Sequence, residues 1–322
     1  MNDEKTVIQD YLVPDKRNSD SFDLLFKTFT PFKAVSFIGA GSSMPLGIQD
    51  WKGLIRKLEK ELGSTATNSD SNDLPKVAEE LYKQFEAAGK EQEFDRIVFD
   101  STRPSVTDAT GALIKLVLLV DTHITTNFDM AIKGVYEFLT TLPQPISQNV
   151  LEHTLPSLPK YSSLQRNGAN AQIIYLHGNC RDKYVFRLRD YAHFYPTEGA
   201  ASTSQPSSAI RDFLKEYLSE VSFIFVGFSF SDSYVKDMIF NVIREIKRDI
   251  QVNQTFLGTP GGPCYDFVPR HFWLMDSGEE SPESLEKTRN IYEDFFIHPI
   301  FYKRDKHIFV QRIFEQLKLE VV

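Results

Sequence analysis

Four short segments of the chain combine small residues with side chains that can act on a ligand. They are Gly39-Ala40-Gly41-Ser42-Ser43, Thr126-Asn127-Phe128-Asp129, His177-Gly178 and Gly227-Phe228-Ser229-Phe230-Ser231-Asp232. Each follows an apolar run that reads as a strand. Glycines at such a place let the backbone approach a phosphate and aim N–H groups at it, or they simply make a tight turn. Asn127 and Asp129 stand at the same strand end, where they face a ligand or simply end a strand and cap a helix. His177 suits general-base work, since an unperturbed imidazole titrates near 6.5, or it is a structural histidine. Asp232 reads as the N-cap of the next helix, a role compatible with a binding edge.

Neighbouring patterns exclude some chemistries. The dinucleotide fingerprint G-x-G-x-x-G fails because Met44 stands at the third glycine, and the acidic Glu61 lies inside a predicted helix. The phosphate loop G-x-x-x-x-G-K-[ST] is absent. The nucleophile elbow G-x-S-x-G fails because Ser231 stands at its second glycine. Cys180 and Cys264 have no metal-ligand spacing with any histidine, which predicts free buried thiols and no metal. Lys303, Arg304 and Lys306 read as a solvated basic turn.

The elements that must hold these segments follow from periodicity. Strands are expected at 33–38, 123–126, 172–176, 221–226, 271–275 and 297–302, with a further one at 184–188. Helices are expected at 51–62, 73–89, 94–99, 109–120, 130–139, 190–195, 285–296 and 307–319, and after Asp232 with Val235, Met238, Ile239, Val242, Ile243 and Ile246 on one face. The stretches 64–72 and 197–208 read as exposed loops, and 143–171, with three further prolines, as irregular. Alternation of strand and helix makes the fold class α/β, a Rossmann-like parallel sheet flanked by helices. Ligands of such sheets sit beyond the carboxyl ends of the strands, so the four segments are expected to converge. The expected organisation is an N-terminal helical extension over 1–30 and a nucleotide-binding domain over 31–322. That domain carries a helical insertion at about 64–120 and an irregular one at about 141–171.

The chain has 322 residues, 41% hydrophobic and 25% charged, an ordinary globular balance. Its 36 basic against 44 acidic residues give a net charge of −8, which argues against direct nucleic-acid binding. Two cysteines exclude a disulfide scaffold. The N-terminal residues have no apolar h-region, and no apolar run reaches about 18 residues. No membrane partner and a cytoplasmic location are therefore expected.

Taken together in their order, the four segments resemble the sirtuin family, and within it the sirtuin-like (SIR2-like) NAD-hydrolysing domains of bacterial antiphage defence. The family pattern is a G-A-G-x-S loop, then T-x-N-[ILFY]-D, then His-Gly after a strand, then G-x-S. Gly47 to Trp51, Arg189-Asp190-Tyr191 and the tail 297–302 also look like the defence branch, and the resemblance spans roughly 30–320. It implies a sirtuin-like fold without the four-cysteine zinc module that deacetylases carry, since only Cys180 follows the histidine. It implies NAD as substrate, with cleavage of the nicotinamide–ribose bond. Asn127 would orient a water and the ribose, and His177 would act as general base. Gly39, Ala40, Gly41 and Ser43 would cradle the diphosphate, and Thr126, Asp129, Gly227, Ser229 and Asp232 would line the nucleotide. It further implies an abortive-infection effector, kept in check by a separate subunit (a HerA-like ATPase, a short Argonaute or a nucleotide-binding protein) or by homo-oligomerisation. An NAD or ADP-ribose sensor without turnover and a protein deacylase are the alternative readings.

Overall fold

Ala34–Ile38 and Ser222–Val226 are buried at every position, as strands covered on both faces must be. The computed structural model describes residues 8–63, 73–104, 111–143, 145, 148–155, 157–160, 170–181, 184–195, 205–256, 270–303 and 308–321. Its elements begin with α1 (Lys16–Thr28), β1 (Ala34–Ile38), α2 (Trp51–Glu61), α3 (Leu74–Ala87), α4 (Glu91–Ser101) and α5 (Gly111–Val117). They continue with β2 (Thr122–Thr125), α6 (Ala131–Leu139), β3 (Asn149–Thr154), β4 (Asn170–Tyr175), α7 (Leu188–Phe194) and α8 (Gln205–Glu220). The last are β5 (Ser222–Val226), α9 (Ser233–Phe256), β6 (His271–Asp276), α10 (Pro282–Glu293), β7 (Ile297–Tyr302) and α11 (Ile308–Val321). Cys264, Arg304, Lys306, the loop 64–72 and residues 197–204 lie outside the described residues.

The seven strands form one parallel sheet in the order β3-β4-β2-β1-β5-β6-β7. This is the Rossmann-like parallel α/β architecture expected from the alternation. From β1 the chain adds β2, jumps to the edge strand β3, returns to place β4 between them, then crosses back to β5 and builds the other way. The strand order thus reverses between β1 and β5, and ligands of such sheets sit beyond the carboxyl ends of the strands at that switch point.

Two expectations need correction. The stretch 143–171 is not wholly irregular, for it contains the edge strand β3, paired with β4 along its whole length. Residues 184–188 do not form a strand; a single bridge joins Tyr184 to Gly178.

Apolar side chains collect in three clusters. One covers a sheet face under α1, α5, α6 and α11, with Phe22, Leu116, Val135 and Phe309 at its centre. The second covers the opposite face under α8 and α9, with Phe37, Phe223, Leu214 and Ile243. The third belongs to α2, α3 and α4, whose Leu58, Leu81, Phe85 and Val98 pack on one another beyond the sheet. The expected insertion at 64–120 thus divides: α3 and α4 join α2 in this helical module, whereas α5 packs against α11 in the first layer.

Residues before β1 close the sheet's far edge. Asn18 donates from Nδ2 to the Phe301 carbonyl (2.8 Å) and accepts from the Phe301 N–H at Oδ1 (2.8 Å). Leu12 bridges Tyr302 in antiparallel sense, and Arg17 pairs with Glu286 and Glu293.

Candidate functional site

The carboxyl ends of β1, β2, β4 and β5 lie on one side because the strands are parallel. A cavity of about 390 Å³ opens there, between the sheet and the helical module. The sheet contributes Ala40, Gly41, Thr126, Asn127, Asp129, His177, Gly227, Ser229 and Asp232 to its wall. All four segments singled out in the sequence therefore reach one cavity.

Two of the candidate residues stand behind the wall rather than in it. A Cβ at Gly39 would lie 2.5 Å from the Gly227 carbonyl oxygen and 2.6 Å from Phe228 Cα, so the loops after β1 and β5 touch backbone to backbone. Gly39 N–H donates to Val226 O (3.0 Å) and Gly41 N–H to Gly227 O (3.0 Å). The N–H groups of Ser42 and Ser43 close turns onto Gly39 and Ala40. The Gly39 N–H thus joins β1 to β5, and the Ser43 N–H closes a turn within its own loop. Ser43, 1% exposed, accepts a hydrogen bond from Asn127 Nδ2 (3.1 Å).

Asn127 is fixed from below as well. Its N–H donates to Thr125 Oγ1 (2.9 Å), and that hydroxyl donates to the Ile38 carbonyl (2.8 Å). Asp129 accepts from the Ala131 N–H at Oδ1 (2.9 Å), an i to i+2 turn that leads into α6. Burial pushes the Asp129 carboxyl up to about 6, against the lowering effect of hydrogen bonds from Ala131, Ser43 and Asn127. At neutral pH it is a largely ionised anion in a dry place.

His177 is 3% exposed, and its Nε2 has no hydrogen-bond partner among the described residues. Burial lowers its pKa to about 4, opposed by the Asp232 charge and by a hydrogen bond with the Thr126 backbone. The ordinary value near 6.5 expected from the sequence does not hold. The ring is neutral at pH 7, its Nε2 is buried without a partner among the described residues, and the residue lines the cavity. Tyr191 and Tyr195 pack edge-on to it, at centroid distances of 5.3 and 5.4 Å. Tyr191 donates to Asp232 Oδ2 (2.8 Å), and Asp232 Oδ1 caps α9 by accepting from the Tyr234 and Val235 N–H groups.

The helical module roofs the cavity with Trp51, Leu54, Leu74, Ser101 and Thr102. Trp51 stacks on Tyr191 at 5.9 Å. Ser101, Thr102 and Val185 carried no signal in the sequence, because they reach the site only through packing of the module. Cys180 is a buried free thiol. No group of His, Cys, Asp or Glu that could hold a metal ion occurs among the described residues. No helix among them is long and apolar enough to cross a membrane.

Comparison with known proteins agrees with this geometry. The SIR2-like domain family matches residues 121–300, more than half of the chain. The chain is also similar to the NAD(+) hydrolase ThsA of Bacillus cereus (strain MSX-D12), 24% identical over 270 residues. That alignment covers 82% of this chain and 48% of the relative, so the chain spans about half the length of the curated protein it matches.

Proposed function

The chain belongs to the SIR2-like domain family, and from that premise we propose that it is an NAD+ glycohydrolase. The observation that carries the reading is a neutral His177, its Nε2 without a partner among the described residues, lining one cavity with a held Asn127 and a buried Asp129. Likeness to a named NAD(+) hydrolase supports the same reaction.

The chemistry asks little acid help of the protein. The C–N bond between nicotinamide and ribose breaks with its electron pair going to the pyridinium nitrogen, so nicotinamide leaves neutral. Positive charge then develops on the ribose, as in glycoside hydrolysis. Asp129 is the buried anion suited to stabilise that charge, which a water-poor site makes worth more. Asn127 commits its Nδ2 to Ser43 and Asp129, so Oδ1 remains to accept from a ribose hydroxyl or the attacking water. His177 Nε2 takes the proton as water adds to the ribose carbon. Ala40, Gly41, Thr126, Gly227, Ser229 and Asp232 border the nucleotide. Lys52 is the only cation among the described lining residues, and its charge suits it to the diphosphate.

In the cell, the reading is an effector of antiphage defence that depletes NAD when triggered, in the cytoplasm. A partner subunit, such as a HerA-like ATPase, a short Argonaute or a nucleotide-binding protein, or self-association would hold the trigger. The test is nicotinamide release from NAD by the purified chain, alone and with proteins encoded beside it. Asn127→Ala and His177→Ala are each expected to lower release by about a hundredfold or more. Tight NAD binding with no release under any condition would replace the hydrolase by a sensor. Release that survives both substitutions would remove these residues from the mechanism.

A further inference from the structure

Residues 184–189 join the helical module to His177. Alternation along extended backbone sends successive side chains to opposite sides. Val185 faces the sheet-side core and the cavity, and its N–H donates to the His177 carbonyl (2.7 Å). Phe186 faces the other way and is fully buried. It is the only fully buried member of the module's apolar cluster, among the described residues, that comes from outside positions 54–98. Trp51, Phe94 and Phe128 surround it at centroid distances of 5.7 to 6.0 Å. Polar ties repeat the attachment: Tyr184 donates to Asp95 Oδ1 (3.1 Å), and the Arg187 guanidinium lies 4.3 Å from the Tyr82 ring centroid.

We propose that Phe186 is a positioning residue: seated in the core of α2–α4, it sets the place of His177 through Val185, so that displacing the module displaces the proposed base. The module is then the place where a regulator of the site acts. The inference rests on His177 as the base for its consequence in turnover, but not for the mechanical link itself.

The groups facing His177 are Asp232 from the start of α9, Tyr191 and Tyr195 from α7 and its end, and the Thr126 backbone after β2. Loosening the strap admits water beside the ring. The imidazole midpoint should then climb from about 4 toward its ordinary 6.5.

The experiment is an NMR titration of the His177 ring in the full chain, which needs no turnover. It is made on the native chain, Phe186→Ala, Phe186→Leu and Leu81→Ala. Leu81→Ala opens a void in the same core without changing a strap side chain, and thermal melts match the variants in stability. Phe186→Ala is expected to raise the midpoint by at least about one unit and to lower kcat roughly tenfold to a hundredfold, with KM changed less. Phe186→Leu should restore most of both, and Leu81→Ala should leave the midpoint in place. Should Phe186→Ala not fold, Phe186→Leu carries the test with a smaller rise. An unmoved midpoint in a folded Phe186 variant overturns the proposal, and so does an equal rise in Leu81→Ala. A raised midpoint in a chain that releases no nicotinamide leaves the coupling standing and removes the hydrolase reading alone.

Discussion

The floor and the roof of the cavity are built on opposite plans. The floor is backbone against backbone: two loops so close that Gly39 has no room for a Cβ, tied by N–H to carbonyl bonds between β1 and β5. The roof is side chain against side chain, a three-helix module with its own core, keyed to the sheet by one buried phenylalanine and a few aromatic and cation–π contacts. A backbone-tied floor holds reacting groups to fractions of an ångström. A side-chain-keyed roof can shift at small cost in free energy. The arrangement places chemistry where movement is forbidden and adjustability where it is tolerated.

The sharpest way to break this contrast is to add one carbon to each part. Gly227 has φ +62° and Ser42 packed against its Cα, so Gly227→Ala should destabilise by at least about 3 kcal/mol. Gly89, between α3 and α4 at φ +66° with open space around it, should lose only about 1 kcal/mol as Gly89→Ala. Chemical denaturation of both variants decides, and equal losses would erase the distinction.

Acid probes the floor next. His123, His177 and His271 are buried and held near 3, 4 and 3 by desolvation. Between 6.5 and those values the unfolded chain binds protons that the folded one refuses, so stability falls as pH drops. Each histidine costs roughly 3 to 5 kcal/mol of stability across its own window. Asp129 acts oppositely, because its raised carboxyl takes a proton in the folded state below about 6. Calorimetric melting temperatures should therefore decline from pH 6.5 toward 4; a flat profile would mean the histidines are hydrated.

Smaller effects sharpen the picture. Ser43→Ala removes the acceptor that holds Asn127 Nδ2. It should lower nicotinamide release roughly tenfold while lowering stability by about 1 kcal/mol. Tyr184→Phe on the roof side removes an exposed hydrogen bond to Asp95 and should change stability by less than about 1 kcal/mol.

The legible parts of the fold were those with a strong period. Val77, Ala78, Leu81 and Phe85 recur on one helix face and are buried, as that spacing demands. β3 escaped because it is an edge strand: Asn149 is exposed and the other five residues are half-buried, so no apolar alternation marks it. Residues 184–187 imitate a strand because Val185 and Phe186 face opposite ways, yet they make a single bridge, Tyr184 to Gly178, before α7 begins at Leu188. At the site, the four segments were readable because parallel strands must deliver their carboxyl ends to one edge. The glycines were readable as a close approach, but what approaches them is the neighbouring loop. Ser101 and Thr102 were invisible because a helix end becomes a cavity wall only through tertiary packing.

The way Asn18 imitates a strand at the far edge has a practical side. Its amide satisfies both polar groups of Phe301, while Leu12 and Val13 supply the neighbouring contacts. A chain shortened to begin at β1 would expose these groups as a raw pairing edge beside a strongly apolar strand. Such an edge invites chain-to-chain stacking and aggregation. Solubility, rather than catalysis, would be the first property that such a trimmed protein loses.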